Sequence, residues 1–500
     1  MRHVFRLALI GATCLIWFAS QTLAQESLWR IWTTSNGRKS DVRLKFVSGD
    51  SKAVKLQRED NGKIISIAKA QLSAADLKFV ASLTKPSTSL SPNLSPRPSS
   101  GSATAPASAG WPQWRGVNRD GKSASTGLLQ QWPQEGPTLA WNITGLGEGY
   151  STPAVADNVV YVLGAIGSDE FVFALNADDG SEVWKTRFGS KSSGGGYPGP
   201  RGTPTIDGDR LYAIGSDGTL ACLSRSNGQL AWSKNLKSDF NGDHGHWDYA
   251  ESPLIDGELL ICTPGGVRNT IVALRKSNGS QVWGSAIGQM MDAGFAKAGY
   301  ASIIKANLNG LEQYVGFLNG GVVGISARDG SPLWHYDRPA NDTANCSTPI
   351  TNNNQVFAAS AYGTGGGLAM INRSGNRWSV KEKYFSNKFQ NHHGGFVLHD
   401  GYLYGTNDSV LMCIDWNSGE LQWQDRCVGK GSVSLADGHL YVRGEKGDIA
   451  LVEATPEDYR EKGRFSQPDR SGKNAWPHPV IAGNRLYIHD DDRMLCFELQ

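Results

Sequence analysis

The chain has 500 residues, of which 19% are charged and 39% hydrophobic, and its formal net charge is +2. This length allows two or three domains with a large core. Residues 28–84 carry eleven lysines and arginines against five acidic residues, whereas the chain from residue 111 onward is net acidic, which argues against nucleic acid as a partner.

The first 24 residues have the pattern of a secretory signal peptide. Arg2 and Arg6 form a basic start, residues 7–18 are apolar, and the segment ends in Thr22, Leu23 and Ala24. Because the apolar run is short for a bilayer, we expect cleavage, export to the periplasm or the extracellular space, and no membrane span in the mature chain. A retained signal anchor is the alternative. Cys14 lacks the setting of a lipoprotein cysteine.

Residues 28–84 form the first predicted domain. Short runs of alternating apolar and polar residues are separated by the turns SNG, SGD and DNG, which is typical of small β-structures. Near the end, Ser73 is placed to cap a short helix whose Leu77 and Val80 face inward.

This segment resembles the Sla-type homology domain, a small SH3-like β-barrel. Trp32, the NGR triplet at residues 36–38, the stretch VKLQREDNGKIISI and LSAAD carry the resemblance. It implies an SH3-like fold with a general tendency to bind proteins.

Residues 85–110 consist almost entirely of Pro, Ser, Ala, Gly and Thr. Such a segment cannot bury enough apolar surface to offset the entropy lost on ordering, so it is predicted to be a disordered linker between two domains.

The segment from 111 to 500 is an array of internal repeats. A turn glycine precedes a tryptophan by four residues in five units, and the first four of these glycines are separated by 48, 51 and 51 residues: Gly180/Trp184, Gly228/Trp232, Gly279/Trp283, Gly330/Trp334 and Gly419/Trp423. Gly375 with Trp378 is a degenerate member. Four antiparallel strands in about fifty residues form one blade of a β-propeller.

The number of units predicts how the ring closes. Seven full units begin at Ser151, Gly202, Glu251, Ala301, Ser347, Gly394 and Gly431, and a last unit stops after three strands. The stretch GPTLAWNI with Trp141 supplies the missing strand. We therefore predict an all-β fold: an eight-bladed propeller closed by an N-terminal strand, which leaves no exposed edge in the ring.

The repeated tryptophans are predicted to be structural, packing between neighbouring blades. Each large aromatic side chain buries roughly 150–250 Å² in such a position. The predicted docking residues are Trp141, Trp184, Trp232, Trp283, Trp334 and Trp423.

The ordered recurrence of ALNADDGSEVW-type units resembles the repeats of pyrroloquinoline-quinone-like (PQQ-like) propellers. The opening stretch WPQWRGVNRDGKSASTGLLQQWP is similar to the start of secreted bacterial PQQ-like repeat proteins related to the outer-membrane assembly factor BamB. This resemblance implies a binding or assembly scaffold with protein partners in the cell envelope.

A PQQ-dependent quinoprotein dehydrogenase that oxidises an alcohol or sugar is the alternative. The resemblance implies that such an enzyme holds PQQ on the propeller axis with a bound Ca²⁺. Its alcohol-oxidising members pack PQQ against a disulfide between adjacent cysteines, and this chain has no Cys-Cys pair. Glu251 and Asn345 could ligate calcium, but two oxygen donors are too few for a site. Cofactor-free binding is therefore the preferred expectation.

Residues just before each innermost strand are expected to encircle one mouth of the central channel. Cations and aromatic rings at these positions suit a small anionic, planar or carbohydrate-like ligand. A rim that is polar only because it faces solvent is the alternative. The candidate ligand-binding residues are Tyr150, Arg201, Tyr249, Glu251, Tyr300, Asn345, His392, His393, Lys430 and Trp476.

No catalytic residue or metal site is predicted. His244 and His246 can share a face, but no third ligand has a diagnostic spacing. The glycine runs lack the Lys-Ser/Thr ending of a phosphate loop, and neither G-x-S-x-G nor H-E-x-x-H occurs. Beyond the signal peptide, six cysteines form no C-x-x-C motif, and Cys222, Cys413 and Cys496 are predicted to be buried thiols.

Overall fold

A computed structural model describes residues 29–30, 39–40, 44–49, 53–58, 61, 63–73, 76–77, 110–290 and 296–500. The chain divides into two compact units, residues 1–102 and residues 103–500. The predicted signal peptide and all of the predicted linker before Gly110 lie outside the described residues. Within the described part of the chain, no helix has the length and apolar character needed to cross a membrane.

The described residues of the first unit form one antiparallel sheet in the order β1-β2-β3-β4. Val54, Leu56 and Leu72 form its buried core, and Leu77 packs against them. The Sla-type assignment remains a prediction, since Trp32 and residues 36–38 lie outside the described residues. The strands are β1 (Trp29–Arg30), β2 (Leu44–Gly49), β3 (Ala53–Arg58) and β4 (Ile64–Ala68), followed by a 3-10 turn at Lys69–Gln71.

Ser73 caps a helical turn at the end of this unit. Its hydroxyl oxygen accepts a hydrogen bond from the amide of Asp76 at 3.2 Å, and its carbonyl accepts one from the amide of Leu77 at 2.9 Å. A serine hydroxyl thereby satisfies an amide that has no partner at the start of a helix. Val80, the other residue expected to face inward, lies outside the described residues.

The second unit is an eight-bladed propeller, which confirms the predicted all-β fold class. Eight four-stranded antiparallel sheets follow one another along the chain. Blades 1 to 4 contain β6 (Ala154–Ala156), β7 (Val159–Ile166), β8 (Asp169–Asn176) and β9 (Glu182–Ser190); β10 (Thr205–Asp207), β11 (Arg210–Ile214), β12 (Thr219–Ser224) and β13 (Leu230–Asn235); β14 (Leu254–Asp256), β15 (Leu259–Cys262), β16 (Ile271–Arg275) and β17 (Gln281–Ser285); and β18 (Ile304–Leu308), β19 (Leu311–Leu318), β20 (Gly321–Ser326) and β21 (Pro332–Tyr336).

Blades 5 to 8 repeat the arrangement. They contain β22 (Ile350–Asn352), β23 (Gln355–Ser360), β24 (Gly365–Ser374) and β25 (Arg377–Ser386); β26 (Phe396–His399), β27 (Tyr402–Thr406), β28 (Leu411–Asp415) and β29 (Leu421–Asp425); β30 (Gly431–Ala436), β31 (His439–Gly444), β32 (Asp448–Glu453) and β33 (Glu461–Ser466); and β34 (Val480–Ala482), β35 (Arg485–Asp490), β36 (Arg493–Glu498) and β5 (Leu139–Thr144). Two further 3-10 turns lie at Gly194–Gly196 and Ile287–Gln289.

The N-terminal strand β5 closes the ring. It pairs antiparallel with β36 of blade 8, and Trp141 lies opposite Cys496. The strand that the last repeat lacks is therefore supplied from the start of the domain, as the number of repeats predicted. Without β5, the edge of β36 would expose unpaired backbone groups.

A β-bulge precedes the repeated tryptophan in the outer strand of most blades. In blade 2, Trp232 lies opposite Cys222 and Leu230 lies opposite Leu223, so Ala231 has no partner. The same irregularity occurs beside Trp184 and Trp283. A bulge bends its strand and changes the direction of the adjacent side chains, which aims these tryptophans at the next blade.

In blades 8, 1, 2 and 3 the aimed indole covers the turn glycine of the following blade. A Cβ at Gly279, whose φ is +72°, would lie 2.8 Å from Cε3 of Trp232, so only glycine leaves room for the ring. The indole N–H of Trp232 donates to the carbonyl of Lys276 at 3.0 Å, three residues before that glycine. The same geometry joins Trp141 to Gly180 and Ala177, and Trp184 to Gly228 and Arg225.

Blades 3 to 6 depart from this pattern in different ways. Trp283 covers Gly330, but its indole N–H has no partner among the described residues. Trp334 lies over Gly324 of its own blade and donates to the side chain of Gln313 at 2.7 Å. Tyr384 covers Gly419 in the place of a tryptophan. Trp423 keeps the backbone contact and donates to the carbonyl of Thr455 at 2.8 Å.

The segment before β5 fills the centre of the ring. We call residues 111–123 the plug. Its contacts reach the innermost strand, or the residues just before it, of blades 1 to 8 in turn: Val155, Ile206, Ser252 and Pro253, Ile303, Thr348, Gly394 and Phe396, Leu435, and His478. A single short segment that contacts every blade lies across the propeller axis and closes the channel.

Two buried arginines anchor the plug. Arg119 donates to the carbonyls of Ser252 at 3.2 Å, of Ile303 at 2.8 Å, and of Pro253. Arg115 donates to the carbonyls of Gly394 and Phe396 at the start of blade 6. Burial lowers the pKa of Arg119 to about 9 and of Arg115 to about 10, so both remain cationic at neutral pH. Buried charge is tolerated only when it is hydrogen-bonded in this way.

Six cysteines among the described residues are free thiols. Cys222, Cys413 and Cys496 are buried in the strands that the sequence indicated. Burial raises the pKa of the Cys413 and Cys496 thiols to about 12, which keeps them protonated and unreactive.

Replacing Trp232 with alanine tests the contact between blades. Trp232→Ala removes the ring from Gly279 and the hydrogen bond to Lys276, and we expect a loss of about 3 kcal/mol in the free energy of unfolding. Leu230→Ala is the matched control, since its side chain in the same strand is 47% exposed, and it should change the free energy of unfolding by less than about 0.5 kcal/mol. Equal denaturation midpoints for the two variants would contradict the assignment.

Candidate functional site

The residues just before the innermost strands converge on one cavity of about 360 Å³. Each of the eight blades contributes a residue to the lining. These residues lie at the positions that the alignment of the repeats placed around the channel mouth. Among the predicted ligand-binding residues, those in the lining are Tyr150, Arg201, Tyr300, His392, His393, Lys430 and Trp476. The lining at the remaining two blades is Ala250 and Cys346. Whether these residues bind a ligand remains a prediction.

Three predicted residues do not line the cavity. Tyr249 is 2% exposed and donates to the carbonyl of Pro264 at 2.9 Å. Glu251 is buried and accepts hydrogen bonds from the backbone and hydroxyl of Thr263.

Asn345 is the third, with its side chain bonded to the carbonyls of Leu318 and Asn319. All three are immediate neighbours of Ala250 or Cys346. Neighbouring residues on an extended chain point in opposite directions, so these side chains face away from the axis. His392 and His393 both line the cavity because their chain bends there.

Several lining residues were missed because they lie in loops outside the repeat pattern. Tyr197 follows the glycine run after β9, Trp247 lies in the loop between β13 and β14, and Tyr362 lies in the turn between β23 and β24. An aromatic residue inside a glycine-containing loop or turn was the sequence signal that could have identified these lining residues. Glu445 and Asn474 complete the polar lining.

One wall of the cavity is an aromatic cluster. The ring of Trp476 lies 4.7 Å from that of Tyr150 and 4.8 Å from that of Tyr197, measured between centroids. His393 approaches Trp476 at 6.1 Å. Such edge and tilted contacts fix the orientation of the rings, so this wall is preformed.

A second group of rings forms the opposite part of the lining. Trp247 and Tyr300 lie 5.7 Å apart, and the Tyr300 hydroxyl accepts a hydrogen bond from the backbone N–H of Trp247 at 3.2 Å. Tyr362 packs against His392 at 4.9 Å. The loop carrying Trp247 is thereby fixed to blade 4.

The plug forms the floor. Trp114 lines the cavity, its indole N–H donates to the hydroxyl of Thr348 at 2.9 Å, and its ring lies 4.5 Å from His478. His478 in turn bonds through Nε2 to the carbonyl of His393 at 3.0 Å. Because the plug crosses the axis, the cavity is closed at this end.

Arg201 is the cation without a carboxylate partner in the lining. Its terminal nitrogens donate to the carbonyls of Gly199 at 3.3 Å, of Gly194 at 3.2 Å and of Tyr197, and its guanidinium carbon lies 5.7 Å from the Tyr150 ring centre. No carboxylate of the described residues lies within 4 Å of it. Burial lowers the pKa of Arg201 from its ordinary value.

Lys430 has its own counter-charge. Its Nζ lies 3.1 Å from Glu445 Oε1, and the same carboxylate oxygen accepts the indole N–H of Trp476 at 2.6 Å. This pair is locally neutral, so Arg201 is the lining cation that has no ion pair within 4 Å among the described residues.

The histidines and the cysteine of the lining are uncharged at neutral pH. Burial lowers the pKa of His392 and, together with the nearby positive charge of Lys430, holds the pKa of His393 well below its usual range. His393 Nε2 is buried without a hydrogen-bond partner among the described residues. Burial raises the pKa of the Cys346 thiol to about 12.

The residues present do not match PQQ with calcium. Glu251 and Asn345, the two oxygen donors considered for Ca²⁺, face away from the cavity and are bonded to protein groups. Within the described residues, no cluster of three or more His, Cys, Asp or Glu is placed to hold a metal ion. PQQ carries three carboxylates, whereas the lining has one cation, Arg201, that makes no ion pair within 4 Å among the described residues.

His244 and His246 belong to no metal-binding cluster among the described residues. His244 Nδ1 bonds to the carbonyl of Gly245 at 2.7 Å.

Comparison with known proteins gives a consistent family. A family profile described as outer membrane protein assembly factor BamB matches residues 108–242 and 168–425. A protein of that name from Burkholderia pseudomallei (strain K96243) is 23% identical over 402 residues, which cover 75% of this chain and 91% of that protein. The protein of that name from Escherichia coli (strain K12) is 35% identical over 111 residues, or 21% of this chain and 27% of that protein.

Solved structures share the fold. BamB from Moraxella catarrhalis is 17% identical with a TM-score of 0.50, and the match covers 73% of this chain and 98% of that one. Quinohemoprotein alcohol dehydrogenase from Comamonas testosteroni is 13% identical with a TM-score of 0.56, covering 79% of this chain and 81% of that one. At these identities the likeness establishes the architecture only, which both structures share with this chain.

The carboxyl of Glu251 makes the stability of the propeller depend on pH. Burial raises the pKa of this carboxyl to about 7 in the folded chain, above its value of about 4.3 in an unfolded chain. The folded state therefore binds more protons between these values, and its contribution to stability is lost as pH rises through 7. Glu251→Gln cannot ionise, so it should lose less stability than the wild type between pH 5 and 8, by about 1–3 kcal/mol.

Urea denaturation across this pH range measures the effect. Glu258→Gln is the control, because the Glu258 side chain is 86% exposed and should keep the wild-type slope. An unchanged slope for Glu251→Gln would show that this carboxyl is not held in its protonated form by burial.

Proposed function

The chain belongs to the family of outer membrane protein assembly factor BamB, and we propose that it is an exported binding scaffold for protein partners in the cell envelope. The observation that carries this proposal is the family match over residues 108–425, together with a relative of that name aligned over 91% of its own length. By analogy with that name, the proposed role is in the assembly of outer-membrane proteins.

The architecture supports the role of a scaffold. A ring closed by β5 and crossed by the plug is a rigid body, because both elements connect blades that are distant in the sequence. Rigid surfaces lose little conformational entropy when a partner binds. The signal-peptide pattern of residues 1–24 supports export to the periplasm or the extracellular space.

We also assign a ligand-binding role to the axial cavity on this scaffold. The seven predicted residues in its lining combine aromatic rings with cations in one concavity, the composition of a small-ligand site. The expected ligand is small, and anionic or carbohydrate-like. No oxidation is proposed at this site, since its residues do not match PQQ with calcium.

Cross-linking in the native envelope tests the scaffold proposal. The full chain, tagged at its C-terminus, is cross-linked in living cells, purified from the envelope fraction and analysed by mass spectrometry. We expect enrichment of components that assemble outer-membrane proteins, at least about tenfold over a tagged exported protein of another fold. Deleting the gene should also lower the amount of outer-membrane β-barrel proteins. Enrichment equal to the control, with unchanged outer-membrane proteins, would overturn the proposal.

A further inference from the structure

We propose that the axial cavity binds a planar aromatic monocarboxylate, a ligand with one ring or two fused rings and a single negative charge. This inference rests on the ligand-binding role proposed for the cavity and names the class of ligand. It follows from three features of the lining: the area of aromatic surface, the position of the free hydrogen-bonding atoms at ring edges, and one cation without an ion pair within 4 Å among the described residues.

The first feature is the predominance of rings. Seven of the lining residues carry the large aromatic side chains of tryptophan or tyrosine, and two more are histidines. The rings belong to loops and strand ends on several blades, so they surround the cavity: Trp114 on the floor, Tyr150, Tyr197 and Trp476 on one wall, and Trp247, Tyr300 and Tyr362 on the other. Aromatic walls favour a flat ligand, which can stack on one ring and meet the edges of others.

The second feature is the position of the free hydrogen-bonding atoms. Most non-aromatic polar side chains of the lining already bind protein groups, as the hydroxyls of Ser252 and Ser302 accept backbone amides. The indole N–H of Trp114 binds Thr348, and that of Trp476 binds Glu445. The polar atoms without a hydrogen-bond partner among the described residues are mostly on other rings: the hydroxyls of Tyr150, Tyr197 and Tyr362 and the indole N–H of Trp247. Lys430 is paired with the same carboxylate, and the Tyr300 hydroxyl accepts an amide N–H. A pyranose presents several hydroxyls that each need a partner, and burying unpaired hydroxyls is costly. Free polar atoms at the edges of rings suit a flat ligand with few polar substituents better than a sugar with hydroxyls on every side.

The third feature sets the charge of the ligand. Lys430 and Glu445 neutralise each other, whereas Arg201 has no carboxylate within 4 Å among the described residues. Asp248 and Glu170 attract the guanidinium only from beyond that distance, and Asp248 is hydrogen-bonded to Ser192 and Gly194. Its terminal nitrogens bind three backbone carbonyls, and no protein group of the described chain accepts a hydrogen bond from its Nε. A carboxylate beside a half-enclosed guanidinium gains more than it would in water, since the surroundings screen the attraction less.

Size and access agree with this class. Small-molecule cavities run from roughly 300 to 1,000 Å³, and this cavity of about 360 Å³ lies near the small end. The plug closes one end of the channel, so a ligand enters past the loops that carry Tyr197 and Trp247. His393 Nε2, buried without a partner, is a polar atom in the wall that a bound carboxylate or a ring substituent can reach.

Isothermal titration calorimetry on the full propeller-containing chain tests the inference with three probes. Indole-3-acetate is the aromatic monocarboxylate, indole-3-acetamide is its uncharged counterpart, and glucuronate is an anionic sugar. We expect one indole-3-acetate per chain with a micromolar dissociation constant, binding at least tenfold weaker for the amide, and no heat from glucuronate. Tighter binding of glucuronate than of indole-3-acetate would overturn the proposal, as would equal binding of the acid and the amide.

Variants assign the binding to this cavity. Arg201→Gln should weaken indole-3-acetate at least tenfold while leaving indole-3-acetamide within twofold, and Trp476→Leu should weaken both. Trp378→Leu is the matched control on β25, outside the lining, and should bind as the wild type does. Circular dichroism establishes that each variant is folded. Absence of binding by folded wild type, or equal loss in Trp378→Leu, would contradict the assignment.

The outcome is separable from that of the scaffold proposal. Trp476→Leu should co-purify the same envelope proteins as the wild type, because its side chain lies inside the cavity. Failure of the probes to bind, with partners still captured, would refute only the ligand class.

Discussion

Two buried guanidinium groups hold the centre of this propeller together. Arg119 binds backbone carbonyls of blades 3 and 4, and Arg115 binds carbonyls of blade 6. Neither cation can lose these acceptors without leaving a buried charge and several buried carbonyls unpaired, each at a cost of about 1–3 kcal/mol. The plug is consequently part of the ring and not an appended tail, and its Trp114 becomes the fixed floor of the axial cavity.

The closure of the ring depends on the same stretch of chain. The plug is followed within about twenty residues by β5, which completes blade 8 and places Trp141 over Gly180 of blade 1. The N-terminal part of the domain thus joins the last blade to the first and all the blades to one another. Elsewhere, contacts between neighbouring blades stabilise the ring. A bulge directs a tryptophan at the turn glycine of the next blade, and a side chain at that glycine position would clash with the indole.

Most of the fold could be predicted from the sequence repeats. Eight blades, the closing strand and the positions around the channel mouth follow from a constant spacing, because every blade puts equivalent residues in equivalent places. Side-chain direction was harder to predict. Tyr249, Glu251 and Asn345 are next to lining positions in the sequence, and the extended backbone turns them away.

The repeat spacing could not predict the structure of the plug or the positions of the aromatic residues in the loops, because these segments occur only once in the sequence. Tyr197 and Trp247 enter the cavity because long loops fold back over the mouth, and their placement depends on tertiary contacts such as Tyr300 with the amide of Trp247. Likewise, nothing in the local sequence of the plug indicates that Arg115 and Arg119 are buried. Both were charged residues in a polar stretch, and only the ring of carbonyls around the axis explains their burial.

Hydrogen–deuterium exchange at the plug reports whether this segment is part of the folded ring. The amides of Trp111 and Ser123, near the two ends of the plug, donate to the carbonyls of Val155 in blade 1 and Leu435 in blade 7. We expect these amides to exchange as slowly as those of the innermost strands, with protection lost only on global unfolding. Exchange at the rate of an unstructured peptide, with the strands still protected, would show that the plug does not hold the ring or close the cavity.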